Sequence, residues 1–140
     1  MIRWIVLVAG LLGAAGVAVG ANAAHGLESS LAEQGIDAEE IVERLDQCDV
    51  AVRYHMTHML ALLVLGLQAG PTRLRRTTAA SIFFLLGIAL FSGGLYSMVY
   101  LGEMGHWAIV PCGGLCFMLG WLSVASLAIG ARPAASTDAH

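Results

Sequence analysis

Charge is scarce in this chain. Of its 140 residues, 12% are charged and 58% hydrophobic, which leaves too little polar surface for a separate water-soluble domain. The one arginine-rich loop, around Arg73, Arg75 and Arg76, suits anionic lipid head groups or a topology signal and is too short to grip nucleic acid. Cysteine is nearly missing: Cys48, Cys112 and Cys116 are odd in number and lack metal-binding spacing. They read as buried thiols. Cys48 and Cys112 would share an outer face where a disulfide is chemically permitted, but sequence alone does not assign one. The chain also lacks a Cys-x-x-Cys-His haem site, a metalloprotease helix, a Ser or Cys with an evident base, and any internal repeat. No enzyme class is indicated.

What is abundant is apolar sequence. Four stretches, Trp4 to Ala24, Ala51 to Ala69, Thr77 to Leu101 and Trp107 to Gly130, each approach or exceed the ~20 residues a membrane span requires. Backbone groups left unsatisfied cannot face lipid, so these stretches predict four α-helices. The expected fold is an all-α integral membrane four-helix bundle, one domain over residues 1–131, with a small, polar, disordered tail expected at 132–140. Arg3, the first apolar run and Ala21-Asn22-Ala23 also fit a signal peptide. The run is as long as a full span, however, and an uncleaved helix is the preferred reading.

The charges that exist are unevenly placed, with eight of the ten carboxylates between Glu28 and Asp49. Short arginine-rich loops stay cytoplasmic, so Pro71 to Arg76, with Arg3 and Arg132, predicts both termini inside and the acidic segment outside. Trp4 and Trp121 then fall near the inner interface, and Tyr96, Tyr100 and Trp107 near the outer one. Within the acidic segment, Leu27 to Gln34 predicts a short surface helix closed by Gly35. Asp37, with Glu40 three residues on, predicts the cap of the next helix. Ile41, Leu45, Cys48, Val52, His55 and Met59 recur at helical spacing, so the second spanning helix is expected to begin as an amphipathic arm outside the bilayer.

Under this topology His25, His55, His58, Glu103 and His106 fall at a similar outer depth, with Asn22 and Tyr54 as polar neighbours. His55 and His58, three apart, share a helix face. Ionisable groups in spans are functional candidates. The readings are a metal site with His25 and His58 as candidate ligands, a haem held by two histidines, or a quinone site using His and Tyr. Against these stands a packing role, which is preferred, most of all for His106 in its turn. Gly16, Gly20, Gly93, Gly94, Gly113, Gly114 and Gly120 are candidates for close helix contact. Met56, Met59, Met98, Met104 and Met118 are too scattered to suggest copper.

Four strings occur in order: GANAAHGL at 20–27, AVRYHMTH at 51–58, GIALFSGGLY at 87–96 and PCGGLCFMLGW at 111–121. Together they resemble the YgdD-like family of small bacterial inner-membrane proteins, the domain of unknown function 423, related to eukaryotic transmembrane protein 256. The resemblance implies a four-helix inner-membrane protein that retains its first span, and it supplies no activity. His25 and His58 match histidines usual in that family, whereas His55 stands where glutamine is more usual. The resulting expectation is a structural or accessory protein of the bacterial cytoplasmic membrane. It would contact membrane lipid and pack with a homo-oligomer or a membrane-complex partner. A cofactor-binding redox protein is the alternative, and an oligomeric small-solute transporter the third.

Overall fold

A computed structural model describes residues 1–68, 74–103 and 106–129; Arg73, Met104, Arg132 and the predicted tail lie outside the described residues. Among the described residues the chain forms five helices and no strand. They are α1 (Arg3–His25), α2 (Leu27–Glu33), α3 (Ala38–Gln68), α4 (Leu74–Leu101) and α5 (Ile109–Ile129). Four of these, all but α2, are long and apolar enough to cross a membrane, with 23, 31, 28 and 21 residues. At ~1.5 Å per residue each covers the ~30 Å hydrocarbon layer. The chain is an all-helical membrane bundle.

The turn between α2 and α3 forms as its residues dictate. Gly35 takes a φ of +78°, its N–H bonds the Ala32 carbonyl, and the N–H of Ile36 bonds that of Leu31. This left-handed closure satisfies carbonyls the helix end would leave open. Asp37 then caps α3, its Oδ1 accepting the Glu40 N–H at 2.9 Å. The Glu40 carboxylate does not return to the cap; it accepts the Arg44 guanidinium one turn on. Arg44 also donates to the Val99 carbonyl near the end of α4, at 3.1 Å, and so ties the first turns of α3 to a second helix. Buried Leu27 and Leu31 fold α2 onto the same cluster as Ile41, Cys48 and Val99. Cys48 is fully buried there, and all three cysteines are free.

Helix α3 is the most buried span, while α1 and α5 lie at the flanks. Antiparallel α1 and α3 pack through small residues: a side chain at Gly13 would meet Met59, at Gly16 Met56, and at Gly20 Val52. The register is pinned at its end, where the Ile2 N–H bonds the Gly66 carbonyl at 2.7 Å. Helix α4 packs on both α3 and α5. Ile88–Ser92 within α4 is a π-helical turn. Helix α5 approaches that turn so closely that a Cβ at Gly113 would strike the backbone of Phe91. Gly87 and Gly120 likewise admit the rings of Phe117 and Phe84. A Cβ at Gly16, Gly94, Gly113 or Gly120 would come within 3.0 Å of a neighbour, whereas Gly20, Gly93 and Gly114 have ordinary surroundings, with nothing nearer than 3.5 Å. Pro111 falls in the first turn of α5, where its missing N–H costs little.

Candidate functional site

The register of α1 on α3 sets the depth of each polar side chain. It places His58 level with Ala14, midway along α1, and therefore near the centre of the spans. This register corrects the expectation that His58 shares one depth with His25: α3 extends about nine residues past the end of α1, so its residues 55–58 lie level with the middle of that helix. His25, at the last residue of α1, is instead level with Gln47. His25 and His58 are thus some eleven residues apart along the helix axis, about 16 Å.

His58 is 4% exposed and both ring nitrogens are engaged. Nδ1 lies 2.7 Å from the Tyr54 carbonyl, a contact only an N–H can make, so Nδ1 carries the proton. Nε2, left as an acceptor, receives the indole N–H of Trp121 at 3.1 Å. The imidazole stacks on Phe117 with ring centres 3.6 Å apart, and lies 5.4 Å from the centre of Phe84. Tyr54 continues the aromatic layer, 4.6 Å from Phe91 and 5.9 Å from Phe117. In lipid a histidine with both nitrogens paired and its faces covered holds helices together. Here it joins α3 to α5.

His55 faces the other way, toward α1 and α4. Its Nδ1 pairs with the Tyr96 hydroxyl at 3.2 Å, and its ring borders Gly16. Among the described residues the buried Nε2 meets no partner at ordinary hydrogen-bond geometry, the Leu12 backbone being its electrostatic partner, and the Ser92 hydroxyl in the π turn is likewise unpaired. Asn22 accepts the Tyr100 hydroxyl at 2.9 Å, joining α1 to α4. Tyr96, Tyr100 and Trp121, read from the sequence as interfacial anchors, are thus partners of the polar residues.

His25, Glu103 and His106 are exposed. His106 accepts the Ala108 N–H and leads into α5; the Glu103 carbonyl accepts the Ser97 hydroxyl. The seven polar candidates therefore do not gather at one point: His58 with Tyr54, His55, and Asn22 each engage a different partner, and His25, Glu103 and His106 lie apart from them. Among the described residues, no three of His, Cys, Asp and Glu are grouped so as to hold a metal ion.

The Phe117 stack and the Trp121 donor lay beyond sequence reasoning. The only available signal was an aromatic pair on one face of α5, four residues apart.

Residues 19–114 match the family described as "Protein of unknown function (DUF423)". A UPF0382 membrane protein of Staphylococcus haemolyticus is 37% identical over 76% of this chain and 79% of its own length. One from Haemophilus influenzae is 36% identical over 78% of this chain and 80% of its own. The YwdK protein of Bacillus subtilis, also a UPF0382 membrane protein, is 33% identical over 81% and 85%. No solved structure matches.

Proposed function

Because the chain belongs to the DUF423 family, whose UPF0382 relatives are membrane proteins, we propose that it is an accessory protein of the bacterial cytoplasmic membrane. In this reading it crosses four times with both termini in the cytoplasm, and works by associating with a copy of itself or with a larger membrane complex. The observation that carries the reading is how polarity is used within the spans. His58 with Trp121, His55 with Tyr96, and Asn22 with Tyr100 each join two different helices. Polar groups committed to one another in this way fit a rigid scaffold better than a reaction centre.

The flanks offer the surface. Leu7, Leu11 and Val17 on α1, and Leu115, Leu119 and Leu122 on α5, are 45–66% exposed. Photoreactive side chains at Leu11 and Leu122, activated in intact cells, test the reading directly. One discrete protein adduct is expected, and adducts with lipid alone would refute it. A fluorescent protein fused after His140 should glow, as one held in the cytoplasm does; a dark, exported fusion would reverse the topology.

A further inference from the structure

Along the seam between α3 and α5 runs a groove in two connected parts. The wider part, about 600 Å³, is lined by Tyr54, Thr57, His58, Phe91, Phe117 and Trp121 among others. The narrower, about 260 Å³, continues toward the arginine-bearing end past Leu60, Val64 and Val124, and shares Thr57 and Trp121 with the first. From Pro111 to Val124 the groove follows α5 for about 20 Å. The wider part falls within the ~300–1,000 Å³ usual for small-molecule sites.

Two hydroxyl-bearing residues, Tyr54 and Thr57, line this groove, and both are exposed along it. Among the described residues neither Tyr54 nor Thr57 has a side-chain hydrogen-bond partner, although Ser81 and Ser123, on α4 and α5, bond their own helices. Tyr54 lies one turn from His58, well inside the spans, where water is not at hand to satisfy a hydroxyl. His58 offers no further valence, since both its nitrogens are taken. What is wanted is therefore an acceptor. Among the described residues no Arg, Asp or Glu lines either part of the groove, so a phosphate or carboxylate would enter without a countercharge.

We propose that the α3–α5 groove binds a neutral, planar, carbonyl-bearing lipid of the prenylated quinone class. Its ring lies in the aromatic part, with carbonyl oxygens accepting from Tyr54 and Thr57. Its tail follows the aliphatic part past Leu60 and Val64. The inference goes beyond the accessory reading and stands or falls separately from it. It concerns binding, with no electron transfer assigned.

The test uses the full chain in lipid nanodiscs, with Trp4→Phe and Trp107→Phe leaving Trp121 as the only indole. Titration with decyl-ubiquinone should quench Trp121 saturably. Tyr54→Phe with Thr57→Val should weaken the apparent affinity tenfold or more while leaving the melting temperature unchanged. Gly114→Leu fills the groove at a position where a Cβ has room, and should abolish saturation. Linear quenching identical in all three proteins would show the quinone merely partitioning into lipid, and would overturn the proposal. So would equal competition by decylbenzene, which has the tail and no carbonyls; it would show that the groove takes acyl chains alone. Should the double variant not fold, Gly114→Leu and the decylbenzene competition decide.

Discussion

The indole N–H of Trp121 points across 3.1 Å at the one imidazole nitrogen of His58 that carries no proton. The other nitrogen is held by the Tyr54 carbonyl, so the tautomer is fixed from within α3 and the acceptor is presented to α5. The pairing links spans whose residues lie 63 positions apart in sequence.

Removing the donor should be felt through the acceptor. Trp121→Phe keeps most of the ring and leaves Nε2 of His58 unpaired, and should cost about 1–2 kcal/mol. His58→Ala also empties the stack on Phe117 and should cost about 2–4 kcal/mol. Unfolding of both variants and their double in detergent measures the coupling, expected at about 0.6–1.7 kcal/mol. Purely additive losses would mean that the hydrogen bond contributes nothing.

Neighbouring glycines on α5 should respond in opposite ways. Alanine at Gly113 meets the Phe91 backbone, which cannot step aside, and about 1–3 kcal/mol or more should be lost. A methyl group at Gly114 would lie 3.9 Å from its nearest neighbour, a ring carbon of Phe91, and alanine there should be neutral or gain up to about 1 kcal/mol from helix propensity. Equal melting temperatures for the two variants would contradict the close approach.

Asp37→Ala removes the cap of α3 and should cost about 1 kcal/mol, felt locally. Hydrogen exchange should accelerate at the amides of residues 38–41 and stay unchanged around His58. Acceleration spread along the whole helix would show that the arm and the span unfold together.

Arg44 should matter more than its carboxylate partner. The Glu40 side chain is half exposed, and Glu40→Gln should change stability by less than about 0.5 kcal/mol. Arg44→Met strips the Val99 carbonyl of its side-chain donor and should cost about 1–2 kcal/mol, with α2 exchanging faster. If the two variants behave alike, the ion pair rather than the carbonyl contact holds the arm.

The four spans were legible because lipid imposes a single rule on backbone hydrogen bonds, and runs as apolar as Trp4 to Ala24 have few alternatives. The Gly35 closure and the Asp37 cap were legible because each depends on residues within a few positions. The depth of His58 was not. It depends on how far α3 protrudes before entering the span, and only its packing register with α1 reveals that. The separation of His55 from His58 was hidden for a related reason. Residues three apart share a broad face, yet α3 is wedged between partners on both sides, and that face divides between α4 and α5.

The π turn at Ile88–Ser92 carries one residue more than an α-helix would use over the same rise. Each such residue rotates the downstream helix by roughly 100°. Tyr96 and Tyr100 therefore meet His55 and Asn22 because of an upstream insertion that touches neither pair. Shortening the turn by deleting Leu90 would rotate both phenols out of phase while leaving every one of their neighbours in the sequence intact. The wiring of α1 and α3 to α4 is in this sense a matter of counting, and a single codon sets the count.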